Sequence, residues 1–181
     1  MKSDLEYLQR IAAAQTLLGI TPPMLAGRTL SLCFEPAEVV LVQRDADGRE
    51  HRLTPAAAAA WEGLREAAEA EGVVLHLVSA YRSFDYQIEL IQRRLAAGMV
   101  ITDILRGSAC PGYSEHHTGR ALDIDTPDNP GLGESFELTA AFAWLQTHGG
   151  ARGFTLSFPR GNAAGYIYEP WHWLWTPPGI A

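Results

Sequence analysis

Apolar positions recur with helical spacing at the start of the chain. Over residues 3–18, Leu5, Leu8 and Ala12 fall on one face, Ser3 and Glu6 have capping-box spacing, and Gly19 can end the helix. Thr21-Pro22-Pro23 breaks the regularity. Residues 29–34 and 38–44 have strand character, Asp45-Ala46-Asp47-Gly48 is a turn, and 49–53 returns as a hairpin partner. Thr54-Pro55 is a strong helix start, an N-cap followed by proline at the first helical position, and the Ala-rich helix runs to about Glu71 before Gly72. The apolar run 73–78 predicts a buried central strand, with His76 in it as a hydrogen-bonded core histidine.

Ser83 caps a further predicted helix through Ala97, with Phe84, Ile88, Ile91 and Leu95 on one face and Gly98 closing it. Residues 99–115 are mixed, with Gly107, Pro111 and Gly112 marking a loop. A strand over 120–125 and a Pro/Gly/Asp loop over 126–135 follow, then a helix from about Phe136 to His148. The last predicted strands are 153–158 and 166–175, separated by a loop with Pro159 and Gly161. Without regular βαβ alternation, this order argues for an α+β fold, a small single domain with a central, mostly antiparallel sheet flanked by helices.

The 181 residues suit one domain with a sizeable core. A formal charge of −7 argues against a nucleic-acid partner, since phosphate binding wants a basic face. No apolar run approaches the roughly 20 residues that span a bilayer. The charged N-terminus, MKSDLEYLQR, has no signal-peptide pattern, so the expected compartment is the cytoplasm, with a periplasmic or cell-wall location as the alternative if a leader was removed. The two cysteines, Cys33 and Cys110, are not in a metal-binding spacing and read as buried free thiols.

The chemistry concentrates in two segments, Ser114–Asp123 and Glu169-Pro170-Trp171-His172. A catalytic zinc takes three protein ligands and keeps a position open, and His116, Asp123 and His172 supply suitable donors. Gly119 lets the backbone turn between the first two. A loop histidine is more often solvated than a ligand, so this spacing is weak by itself. Strand alternation puts Trp171, Trp173 and Trp175 on one face, as core, and His172 with Leu174 on the other. Pro170 makes a bend plausible that brings Glu169 to the same side as His172, as a candidate proton carrier. Arg82, leaving the 73–78 strand, is a candidate positive group for a developing oxyanion or a substrate carboxylate. Asp125 shares a strand face with Asp123 and is a candidate to orient a ligand histidine. His51 and His148 have no partner pattern, although His148 near a helix C-terminus suits the dipole.

The three segments SAYRS (79–83), SEHHTGRALDID (114–125) and EPWHW (169–173) resemble the signature of the zinc D-Ala-D-Ala carboxypeptidases of the VanY type, a group that includes VanX dipeptidases and L,D-carboxypeptidases. The resemblance spans residues 54–176, with residues 1–53 as an N-terminal helix-and-hairpin extension that covers one side of the cleft or mediates self-association. It implies a Hedgehog/DD-peptidase-like fold, Zn²⁺ held by His116, Asp123 and His172, Glu169 as general base and acid, and Arg82 on the substrate. Ser114, Gln87 and Tyr81 are the implied substrate-binding residues. His117 stands where many relatives carry Gln, and only one of the adjacent imidazoles can face the metal. The implied activity is removal of terminal D-alanine from peptidoglycan stem peptides or muropeptides. An L,D-carboxypeptidase, a dipeptidase and a non-catalytic peptidoglycan-binding module are the alternatives.

Overall fold

The computed structural model describes residues 4–129 and 131–177. Helix α1 (Asp4–Leu18) and a short α2 (Pro22–Leu25) lead into the antiparallel hairpin β1 (Val40–Arg44) and β2 (Glu50–Leu53). Helix α3 (Pro55–Ala70), strand β3 (His76–Ser79), helix α4 (Phe84–Ala96) and helix α5 (Ile101–Gly107) follow. Strand β4 (Ala121–Asp125), helix α6 (Ala140–His148) and strands β5 (Phe154–Leu156) and β6 (His172–Trp175) complete the chain. The main sheet is antiparallel throughout, in the order β3-β4-β6-β5. The expected α+β class therefore holds, but β3 is an edge strand and β4 and β6 are the central pair.

One face of this sheet makes the main core. Leu77, Leu122, Ile124, Trp173 and Trp175 pack with Trp61 and Leu64 of α3 and with Trp144 and Leu145 of α6. Because side chains alternate along a strand, the same packing turns Asp123 and His172 to the opposite face. All five residues of β4 are buried, so this second face is covered as well. Two smaller clusters lie with the other helices: Tyr7, Ile11 and Ala14 of α1 meet Phe84 of α4, and Leu18 and Ile20 group with Ile91, Ile104 and Leu105. Among the described residues, no helix is long and apolar enough to cross a membrane.

The cap signals at Thr54 and Ser83 are realised, their side chains accepting from the N–H groups of Ala57 and Tyr86. Other expectations need correction. The shared face of Leu5, Leu8 and Ala12 is the exposed one, and Tyr7, Ile11, Ala14 and Leu18 face inward. Ser3, the expected cap, lies outside the described residues. Residues 29–34 form no strand; the segment is pinned by Thr29 N–H to the Ala163 carbonyl and Cys33 N–H to the Gly112 carbonyl, both at 2.9 Å. His76 is exposed on the sheet edge rather than held in the core. Helix α5 occupies part of the expected 99–115 loop.

The helix expected from Phe136 begins only at Ala140, after a 3₁₀ turn at Glu134–Leu138, because Thr139 caps it by accepting from Phe142 N–H. The last strand is confined to 172–175. Before it, Ile167 N–H bonds Arg106, Glu169 N–H bonds Phe158 and His172 N–H turns back to Glu169 across Pro170, so no regular ladder forms. Both cysteines are free and buried, as expected.

Candidate metal centre

The site is built on the central strand pair. Asp123 and His172 are direct cross-strand partners on β4 and β6, which sets their side chains side by side. His116 comes from a 3₁₀ turn, Glu115–Thr118, immediately before β4. Gly119 closes that turn at φ +64°, and a Cβ there would meet Thr54 Cγ2 at 3.1 Å and Pro36 Cγ at 3.3 Å. Glycine is therefore required both by backbone angle and by space.

Two hydrogen bonds fix which ring nitrogens face inward. His116 Nδ1 lies 2.6 Å from the Ala80 carbonyl, so it carries the proton and donates. Nε2 then points at Asp123 Oδ2 across 3.2 Å, and is buried without a hydrogen bond of acceptable geometry. His172 Nε2 lies 2.9 Å from Glu115 Oε2, and its Nδ1 lies 3.0 Å from Asp123 Oδ1. One ligand atom from each of His116, Asp123 and His172 can be chosen so that all lie within 4.8 Å of one another, and all three residues are buried. A buried, unpartnered imidazole nitrogen aimed at a carboxylate and a second imidazole is a donor set that fits a divalent metal ion.

The protonation states agree with this fit. Burial, reinforced by the nearby Arg82 charge, lowers His116 to about 4, so its Nε2 lone pair is available at neutral pH. Burial also pulls on His172, but hydrogen bonds to Asp123 and Glu115 hold its proton up to about 10. A metal arriving between the ligands would replace the Nδ1 proton. Asp123 stays ionised: burial opposes its charge, and His116 and His172 together pull it well below the usual carboxylate range.

Glu169 is buried beside the triad, with Oε2 at 4.0 Å from His172 Nδ1. Its carboxyl is pushed up to about 7, chiefly by burial. A group poised there can take or give a proton at neutral pH. Arg82 Nη2 lies 3.6 Å from Asp123 Oδ2, its Nη1 donates to Gln87 Oε1 at 3.3 Å, and its Nε is buried without a partner. Arg82, Ser114, Glu115, His116, Glu169 and His172 line one hollow together with the 107–109 backbone.

The adjacent imidazoles divide cleanly. His117 Nδ1 donates to the Arg82 carbonyl at 2.7 Å and its Nε2 accepts from Gly112 N–H at 3.2 Å. Both nitrogens are thus committed to backbone, and His116 is the one that faces Asp123.

Three expectations are corrected. Gln87 is fully buried and does not line the hollow; it bridges Arg82 and the Ala109 carbonyl and so braces Arg82. The Tyr81 hydroxyl donates to Glu35 at 2.9 Å, and its ring lines a different depression with Arg49 and His51. Among the described residues Asp125 orients no histidine: Oδ1 accepts from Thr126 N–H and Asn129 Nδ2, shaping the turn after β4.

One residue escaped the sequence reading. Glu115 accepts from Ser157 Oγ at 2.6 Å as well as meeting His172, and so fixes that ring from behind. The only signal in the sequence was its place next to His116.

Residues 50–178 match the family model of VanY, D-alanyl-D-alanine carboxypeptidase. The chain belongs to the VanY D-alanyl-D-alanine carboxypeptidase family. Among curated proteins, the "Putative carboxypeptidase YodJ" of Bacillus subtilis (strain 168) is 32% identical over 153 residues, which cover 77% of this chain and 53% of that one. The D-alanyl-D-alanine carboxypeptidase of Enterococcus faecalis (strain ATCC 700802 / V583) is 27% identical over 125 residues, 64% of this chain and 45% of that one. The chain therefore spans about half the length of the curated relatives it matches. Among solved structures, the LdcB LD-carboxypeptidase superposes with a TM-score of 0.68 at 32% identity, covering 78% of this chain and 69% of that one. VanYB in complex with D-alanine-D-alanine gives 0.60 at 25% identity, covering 80% and 84%. A VanY D,D-pentapeptidase mutant has been solved with Zn(II), at a TM-score of 0.58 and 25% identity, covering 80% and 86%.

Proposed function

We propose that this chain is a zinc-dependent carboxypeptidase that removes the terminal D-alanine of peptidoglycan stem peptides. The observation that carries the reading is the convergence of His116, Asp123 and His172 with a buried, proton-exchanging Glu169 at their side. Zinc held by those three residues would supply Lewis-acid polarisation of a carbonyl and activation of water. Glu169 accepts the proton of the attacking water and passes it to the departing amine, a double role suited to a carboxyl near 7. Arg82, held by Gln87 and facing the same hollow, offers its charge to the carbonyl oxygen or to the substrate's terminal carboxylate. Ser114 lines the hollow beside His116 and is placed to contact the same peptide.

A second reading, an L,D-carboxypeptidase, is favoured by the likeness to LdcB, at 32% identity and a TM-score of 0.68. A binding module without activity has no use for a buried carboxyl beside the ligands, so Glu169 speaks against it. Mass spectrometry of defined pentapeptide and tetrapeptide stems, with and without a chelator, tests these readings. Chelator-sensitive loss of one alanine from the pentapeptide alone selects D,D activity, and loss from the tetrapeptide selects L,D activity. No cleavage of either peptide by zinc-loaded protein overturns both.

A further inference from the structure

A second hollow, of about 250 Å³, opens beside the metal centre. Glu115, Phe158 and Tyr166 line both, so the two hollows are neighbours that share a wall. The Phe158 ring lies against the His172 ring, with centroids 4.7 Å apart. The outer wall is the segment 29–33, which precedes the family-matched region 50–178. This wall is fixed at both ends: Thr29 and Cys33 bond the Ala163 and Gly112 carbonyls, and the Tyr7 hydroxyl donates to the Cys33 carbonyl at 2.6 Å. Between the pins, the backbone N–H and C=O groups of Leu30 and Leu32 make no hydrogen bond among the described residues. The same hollow is lined by Arg120, whose guanidinium has no carboxylate partner among the described residues.

Backbone with open donors and acceptors, apolar side chains at alternate positions and an unpaired cation together describe a surface for an extended peptide that bears a carboxylate. A carboxypeptidase releases a single residue on one side of the scissile bond. The longer side of its substrate needs a surface that leads away from the metal, and this hollow adjoins the metal centre. We propose that segment 29–33 and Arg120 form a subsite for the amino-terminal side of the substrate, an extended acidic peptide. The N-terminal extension thereby selects long stems over short acylated dipeptides. This rests on the peptidase reading above.

The test compares kcat/KM for a pentapeptide stem and for N-acetyl-D-Ala-D-Ala in zinc-loaded wild type, Arg120→Gln, Arg120→Lys and Leu32→Asp. Leu32 is 37% exposed, so its substitution leaves the core intact. We expect Arg120→Gln to lower the preference for the long substrate roughly tenfold, mainly through KM, the scale of one lost charge-assisted hydrogen bond. Arg120→Lys should restore part of it, and Leu32→Asp should lower it. An unchanged long-to-short ratio in both Arg120→Gln and Leu32→Asp overturns the subsite.

Calorimetric titration of metal-free protein with a tripeptide stem lacking both terminal D-alanines separates the two readings. Tripeptide binding that is lost in Arg120→Gln and Leu32→Asp supports the subsite even if wild type cleaves nothing, in which case only the hydrolase reading falls. Cleavage with a variant-independent ratio and no tripeptide binding removes the subsite and leaves the hydrolase.

Discussion

The central strand pair and the N-terminal arm, residues 4–53, solve different problems. On β4 and β6, a strict alternation sends Leu122, Ile124, Trp173 and Trp175 into the core and leaves Asp123 and His172 on the other face. The site is thus a by-product of core packing: whatever holds the tryptophans also aims the ligands. The arm has no such ladder beyond its own hairpin. It is held by individual long-range contacts: Tyr7 and Ile11 on Phe84, Arg10 on Glu35 and Asp85, and Tyr81 and Phe84 N–H on Glu35. A sheet transmits one local pattern to many residues, whereas a strapped arm has to be specified contact by contact.

The most severe change should be chemical and should leave the structure alone. Glu169→Gln keeps the shape beside His172 and removes the proton carrier, so activity on a stem peptide should fall by about 10²- to 10⁴-fold. Zinc content by elemental analysis should remain that of wild type. If activity persists, Glu169 is not the base.

Next in size is the joint between the regions. Phe84→Ala empties a fully buried position against Tyr7 and Ile11 and should cost about 3–5 kcal/mol in urea unfolding. Leu5→Ala, on α1 with Tyr7 and Ile11 but 66% exposed, should stay within about 0.5 kcal/mol. Equal losses in the two would mean that α1 packs by its other face.

Glu115→Gln probes the support of the ligand set. Loss of the charge behind His172 Nε2 should weaken zinc binding about 10- to 100-fold in competition with a chromophoric chelator. Unaltered affinity would reduce Glu115 to a loop contact.

The smallest effect belongs to the arm and depends on pH. Burial opposes the charge on Glu35, but bonds from Phe84 N–H, the Tyr81 hydroxyl and Arg10 prevail and hold it below its ordinary value of 4.5. A lowered carboxyl contributes stability that is present above the unfolded value of 4.5 and lost as pH falls through the folded one. The stability gap between wild type and Glu35→Gln should therefore shrink as acid titrations pass below pH 4.5. A gap independent of pH would show that the carboxylate charge plays no part in holding the arm.

Much of the fold was legible along the chain because its signals are local. Thr54-Pro55 and Ser83 name their helices through caps that reach only three residues ahead. The tryptophan stripe at 173 and 175 names its own buried face. Ile101, Ile104 and Leu105 of helix α5 have helical spacing, but the stretch is only seven residues long and the Gly and Pro that follow it carry the stronger local signal of a loop. On α1, two faces are both apolar enough to pack. Only the position of Phe84 decides between Leu5/Leu8 and Tyr7/Ile11. Residues 29–34 have strand propensity, but Thr29 and Cys33 bond single carbonyls of Ala163 and Gly112 in place of a paired strand, so the segment stays unladdered.

The sequence by itself determined the identities of the chemical groups: His116, Asp123, His172, Glu169 and Arg82, and the alternation and turn that let them meet. The tertiary structure decided their states. The Ala80 carbonyl, 36 residues before His116, selects the ring nitrogen that faces inward, and Glu115, 57 residues before His172, does the same there. Contacts with the Arg82 carbonyl and Gly112 N–H take His117 out of contention. Desolvation by surrounding elements sets Glu169 near 7, and burial turns Gln87 from a pocket residue into a brace for Arg82. Residue type and local geometry are written along the chain, whereas tautomer, proton affinity and exposure depend on partners that only folding brings within reach.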